Sequence, residues 1–285
     1  MNLRSESAKA SVLSAPATLY VGFLVAAPLI ILIAYSLWTQ TYVDIDRTLT
    51  LANYREALTD PLVRHLMIRS ILIAAAVTLV TVALAYPIAY FIALKARKKT
   101  LWLLLITIPF WSSYLLRVFS WKLVLGFNGV LNSALLQIGV IDEPLTFLLY
   151  NEFAVVLTLA HAWAPFAILP IFVSIQKIDR SLLEAATDLG SSKLESFLRV
   201  TLPLTIPGII AACLIIFIPT VGDYVTPSLV GGSDGKMIAN LIQVQFGAAN
   251  NWPLGATLSL LAMMSVGFVA ILFVLGATGL GRRIR

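Results

Sequence analysis

The chain has 285 residues, 59% of them hydrophobic and 12% charged, with a mean hydropathy of +0.92. That much apolar surface exceeds what a soluble core of this length hides, so the composition predicts an all-α bundle in lipid. A net charge of +6 with no basic stripe along a soluble face argues against a nucleic-acid partner, and a single cysteine, Cys213, excludes disulfide frameworks and thiolate metal clusters within the chain.

Arg4 and Lys9 precede an apolar run from Pro16 to Trp38. The run is too long for a signal-peptide core and lacks a small-x-small cleavage site, so it reads as a retained first span behind an N-terminal segment, residues 1–15. Residues 39–68 follow, with a short amphipathic helix at Asn53–Leu58. Further spans are expected over 69–94, 101–122, 153–175, 205–222 and 254–280, each near the roughly 20 apolar residues a crossing needs. The stretch 123–141 is also free of Asp, Glu, Lys and Arg, but Asn128, Gly129, Asn132, Gln137 and Gly139 dilute it. Val130, Leu131, Ala134, Leu135 and Ile138 share one helical face, which suits a helix lying in the interface.

Charge placement selects six spans. Lys95, Arg97, Lys98 and Lys99 mark one basic loop and residues 176–199 hold another, so an even number of crossings separates them. With Arg282, Arg283 and Arg285 after the last span, the positive-inside rule places both termini in the cytoplasm, and 13 of the 20 Lys and Arg residues with them. Pro28, Pro87, Pro109, Pro165, Pro170, Pro207 and Pro219 lie in or beside the spans. Each removes a backbone hydrogen bond, which favours helices that line a cavity or move.

The loop 176–204 is the most informative polar stretch. Ser181 with Glu184 and Ser192 with Glu195 have capping-box spacing, predicting two short helices. Leu182, Leu183, Ala186 and Leu189 make the first amphipathic, and Gly190 ends it through a positive backbone angle. Leu194, Phe197, Leu198 and Leu202 face one way on the second, with Pro203 expected to stop it before the fifth span. By spacing alone this is either a docking elbow for a soluble partner or a helix pair resting on the membrane.

Here the chain resembles a known family. Glu184-Ala185-Ala186, three residues, Gly190, nine residues, then Val200-Thr201-Leu202-Pro203 is similar to the signature loop of permease subunits of type I ATP-binding-cassette importers; Val200 replaces the usual isoleucine. Residues 109–122, 128–142, 182–193 and 203–211 resemble the spermidine/putrescine branch, close to its B- and H-type permeases. The resemblance implies the type I importer permease fold, with both termini inside, in a bacterial inner membrane. It also implies an ATPase dimer that binds ATP-Mg, a second homologous permease chain and a periplasmic solute-binding protein; a homodimer is the alternative pairing. Leu183, Glu184, Ala185, Ala186, Asp188, Leu189 and Gly190 would then belong to the coupling helix. The sequence holds no G-x4-G-K-[ST] phosphate loop, in keeping with hydrolysis on another chain and no cofactor in this one.

For the substrate path, polar residues at depth are the candidates: Trp111, Ser112, Ser113, Tyr114 and Arg117 after Pro109, Asp223 and Tyr224 after Pro219, and His161 and Trp163 in the middle of the fourth span. Asp223, with the rings of Trp111, Tyr114 and Tyr224, offers the carboxylate and aromatic faces that a polyamine's ammonium groups require. Each also has an ordinary role available: the aromatics as packing, Asp223 as solvated or paired with Arg117, His161 as hydrogen-bonded within the bundle. Arg117 and Lys122 are expected to reach the outer interface; an Arg117 facing the path would instead suit an opine, an amino-acid-like compound or another small zwitterion or anion. An ion-coupled secondary transporter is a rival reading, disfavoured by the short chain and absent internal repeat. An intramembrane enzyme lacks a metal-binding H-E-x-x-H and a paired carboxylate.

Overall fold

Long apolar runs with few backbone breakers fold as helices because, away from water, each N–H must find a carbonyl within its own segment. The computed structural model describes the backbone of residues 3–42 and 44–284, and side chains over 14–42 and 44–277. The charges of Arg4, Lys9, Arg282, Arg283 and Arg285, and most of the proposed segment 1–15, therefore lie outside the described side chains. In order the elements are α1 (Leu3–Ser36), β1 (Thr39–Thr41), β2 (Asp44–Asp46), α2 (Ala52–Thr59), α3 (Pro61–Leu94) and α4 (Lys99–Thr107). Next come α5 (Tyr114–Leu125), α6 (Val130–Gln137), α7 (Glu152–Gln176), α8 (Arg180–Asp188) and α9 (Lys193–Ser196). The chain ends with α10 (Leu202–Val221), α11 (Val225–Val230), α12 (Ile238–Phe246) and α13 (Trp252–Ile284).

Among the described residues, five helices are long and apolar enough to cross a bilayer: Ser14–Ser36, Pro61–Leu94, Glu152–Gln176, Lys193–Val221 and Trp252–Ala277. Where a straight span was expected over 101–122, the chain instead forms a bent pair of helices, which makes a sixth crossing only if the pair is one broken span. Helix α4 runs into a 3-10 turn, Ile108–Trp111, the chain extends at Ser112 and Ser113, and the segments Lys99–Trp111 and Tyr114–Gln137 meet at 89°. Ser112 closes the turn, donating both its N–H and its hydroxyl to Pro109 O. The helix at 53–58 is present as α2, and a three-residue antiparallel hairpin, Thr39 opposite Asp46, precedes it. Helix α3 starts eight residues before the expected span because Pro61 opens it and Asp60 Oδ1 accepts from Leu62 N–H at 2.7 Å.

The described chain forms two compact units, Met1–Arg64 with Ile242–Leu261, and His65–Leu241 with Ala262–Arg285. In the first, the buried Asn53 amide donates to Trp38 O at 2.7 Å and Ser36 O at 3.3 Å, tying α2 to the end of α1. Thr257 also donates to Ser36 O, and Trp252 packs its ring against Tyr35 and Phe246.

In the second unit Val77, Ile92, Val118, Val155, Leu159, Ile171 and Ile216 form the centre of one buried cluster. Its most extensive helix contact is α7 against α10. There Gly208 lets the helices approach: an added Cβ would fall 2.5 Å from Ser174 Cβ and 2.7 Å from Pro170 O. Helix α6 leaves Val130, Leu131 and Ala134 exposed, as is Ile138 just after it, and Leu135 part-buried, while Asn132 points in. Its buried amide donates to Gly126 O, Phe127 O and Leu145 O and accepts from Leu145 N–H. The glycine-rich segment 231–235 is a close-packed turn rather than a loose one: Gly231 and Gly235 are buried, and Gly232, at φ 62°, sits against Tyr150.

Candidate functional site

The elbow at 180–203 is built from two capped turns. Asp179, not Ser181, caps α8: its Oδ1 accepts from Ser181 N–H at 3.0 Å, so the expected Ser181–Glu184 box does not form. That hydrogen bond holds the Asp179 carboxyl below its ordinary pKa. At the other end Ser191 N–H reaches Ala186 O and Gly190 N–H reaches Thr187 O, a paired closure that requires Gly190 at φ 83°. The Ser192–Glu195 box is present in full.

Of the residues expected to dock, Ala186 turns inward, Leu183 is half-buried, and Glu184, Ala185, Asp188 and Gly190 are exposed. Leu189 stands at the tip with 87% of its surface exposed. Pro203 does not stop the second helix: α9 passes through a π turn, Phe197–Thr201, straight into α10. The π turn accommodates the proline within the continuing helix: Leu202 N–H reaches Phe197 O, and Pro203 has no N–H to place at the widened turn. Beside the elbow a cleft of about 750 Å³ opens between α7, α8 and α10, lined by Ser174, Lys177, Asp179, Leu182 and Gly208.

The substrate-path candidates gather only in part. Tyr114, at the start of α5, donates its hydroxyl to Asp223 Oδ2 at 2.5 Å and shares a second hydrogen bond with Thr226 Oγ1. Asp223 Oδ1 accepts from Val225 N–H at 2.9 Å and Thr226 N–H at 3.4 Å, capping α11. Asp223 is thus neither merely solvated nor paired with Arg117. Nor does Arg117 extend outward: its guanidinium lies 4.2 Å from the Phe110 ring centroid, with Nε and Nη1 buried and without a hydrogen-bond partner. Lys122 rests over the Tyr150 ring at 5.8 Å. Trp111, 88% exposed, and Ser112 and Ser113 do not join the Tyr114–Asp223 junction. Tyr224 is exposed, and its carbonyl accepts from the buried Asn240 amide at 2.9 Å. His161 is hydrogen-bonded within the unit as expected, its Nδ1 accepting from Trp121 Nε1 at 3.1 Å.

Sequence reasoning passed over Thr226, Phe110 and Asn240. Only Thr226 carried a local signal, an Asp three residues before a backbone N–H it could cap. The others are joined to the site by tertiary packing.

The sequence profile of the family described as "Binding-protein-dependent transport system inner membrane component" matches residues 11–285. The chain belongs to that family. This inner membrane component is 40% identical over 225 residues to the spermidine/putrescine transport system permease protein PotB of Escherichia coli (strain K12), covering 79% of this chain and 81% of that one. It is 34% identical over 240 residues to the protein of the same name from Haemophilus influenzae (84% and 83% covered), and 33% identical over 262 residues to the Escherichia coli inner membrane ABC transporter permease protein YdcU (85% and 82%). Among solved structures it is similar to a chain of a bacterial ABC transporter involved in the import of alginate, with a TM-score of 0.71 at 17% identity over 99% of each chain. A chain of the MetNI methionine transporter matches with a TM-score of 0.52 at 17% identity, over 80% of this chain and 100% of that one. At that identity the structures show a shared fold. The component is therefore a helical, membrane-embedded permease subunit of an ABC importer, a transport protein and not an enzyme.

Proposed function

We propose that this permease carries a small organic cation of the polyamine class inward across the inner membrane, driven by an ATPase dimer that grips the elbow at 183–190. The observation that carries the coupling reading is the tip itself. A capped amphipathic helix holding Leu189 almost wholly in the open matches a helix made to enter a partner's groove. When ATP draws the two ATPase subunits together, the docked elbows move with them and the spans switch between two packings as rigid bodies. The family's own description supports delivery by a binding protein. A second, related permease chain is supported by the 31% identity over 132 residues to a PotC homolog of Mycoplasma pneumoniae, though that match covers only 44% of this chain.

The substrate class rests on the PotB relatives' names and on the Tyr114–Asp223 junction. Asp223 Oδ2 receives one neutral donor, Tyr114, which a substrate ammonium displaces while keeping the tyrosine ring beside it for cation–π contact. One observation favours a second reading. Arg117 Nε and Nη1 and the Trp163 indole N–H are buried donors with no acceptor, a need that a substrate carboxylate would meet. The deciding experiment is uptake of labelled putrescine by the reconstituted complex, with spermidine and a zwitterionic amino acid as competitors. Competition by spermidine alone supports the polyamine reading. Competition by the zwitterion alone, or no putrescine uptake, replaces it with the second.

A further inference from the structure

Phe197 opens the π turn in which Leu202 N–H reaches back five residues to Phe197 O. Pro203 has no N–H to give to Arg199 O, so an ordinary α turn would gain no hydrogen bond there. The Phe197 ring meets two tyrosines four residues apart on α3, both nearly edge-on: Tyr86 at 5.7 Å between centroids and Tyr90 at 5.9 Å. Tyr86 also hydrogen-bonds Thr205 Oγ1 at 2.9 Å, one turn beyond the π turn. Thr205 is fully buried and spends its own proton on Leu202 O, which leaves Tyr86 as the donor. Helix α3 therefore holds the chain on both sides of the π turn, at its first residue Phe197 by ring contact and at Thr205, in the first turn of α10, by a hydroxyl.

A π turn has one residue more than an α turn needs. Its relaxation would rotate everything on its N-terminal side by about 100°, one residue's share of a helical turn. The elbow lies on that side.

We propose that Phe197 is a positioning residue for energy coupling: clamped between Tyr86 and Tyr90, it fixes the π turn so that a displacement of the elbow moves α3 and α10 together. Without the clamp the turn absorbs the displacement by rewinding. The inference rests on the reading of 183–190 as the segment that the ATPase grips.

The test reconstitutes the complete complex with Phe197→Ala, and separately with Phe197→Leu, which keeps apolar volume but not the ring edges. ATP hydrolysed per labelled putrescine moved is the readout. Both variants are expected to keep the ATPase bound and to raise that ratio at least fivefold, while Phe197→Tyr keeps it within twofold of the unaltered chain. Uptake and hydrolysis falling together at a constant ratio would overturn the proposal, because a merely structural loss behaves that way. So would failure of both variants to assemble. If the ATPase does not co-purify with the unaltered chain, the docking reading fails first and takes the clamp with it. If it does co-purify and the ratio stays constant, the clamp alone is wrong.

Discussion

Asp223 serves two chemistries with its two oxygens. Oδ1 starts α11 through Val225 and Thr226 N–H, and Oδ2 faces Tyr114. Asp223→Asn separates them, because the amide oxygen still caps the helix while the charge is lost. A hydrogen bond to a charged group contributes about 1.5–3 kcal/mol, so the KM for putrescine is expected to rise on the order of ten- to a hundredfold. Initial rates of uptake in proteoliposomes measure it, and an unchanged KM would leave Asp223 a helix cap alone. Arg117 shows why residue types do not settle roles. Its sequence position suited an interfacial cation, yet a ring of Phe110 seven residues earlier turns the guanidinium inward once the third span bends.

The elbow is the element whose local chemistry was most readable. Gly190 is at φ 83°, and a side chain added there would meet nothing within 4 Å, so only the backbone opposes substitution. A non-glycine residue in that conformation costs about 1–2 kcal/mol, and Asn bears it best. Gly190→Asn is therefore expected to keep at least half of coupled uptake. Gly190→Pro forces the wrong backbone angle, removes the N–H given to Thr187 O, and is expected to abolish uptake while the chain stays in the membrane. Normal uptake with the proline would remove the coupling role. The third span is the element least readable in advance. Pro109 announced a disturbance, but a proline permits either a kink or a full break. The choice fell to Ser112 and Ser113, which leave the helix while Ser112 closes onto Pro109 O.

At the scale of the whole molecule, α3, with 34 residues, is about 50 Å long. That exceeds a hydrocarbon core of roughly 30 Å, so the helix must tilt or extend past it. Near its start Arg69 pairs with Glu152 at 3.4 Å and with His65 Nε2 at 2.6 Å. The positive-inside argument predicts that this end and the turn 231–235 face the periplasm, and the elbow the cytoplasm. Replacing Cys213 by serine and placing single cysteines at Leu189 and Ser233 tests it. In intact spheroplasts an impermeant maleimide is expected to label only the Ser233→Cys chain, with Leu189→Cys labelled after the membrane is opened. Labelling in the opposite order would invert the topology and remove the cytosolic motor from the elbow.

What the amino-acid sequence determined by itself is whatever depends on neighbours along the chain: five of the spans, from continuous apolar length; the second capping box, from Ser192 and Glu195; and the end of α8, from the conformational freedom of Gly190. The family likeness was also legible there, because its spacing lies within one loop. The tertiary structure alone decided which side chains meet across distant segments. Tyr114 reaches Asp223 109 residues away, Tyr86 reaches Thr205 119 residues away, and Gly208 admits the wall of α7. Apolar periodicity specifies that a helix buries a face, but nearly every face of a membrane span is apolar. The choice among them was made by small residues, single hydroxyls and ring edges at the points of contact.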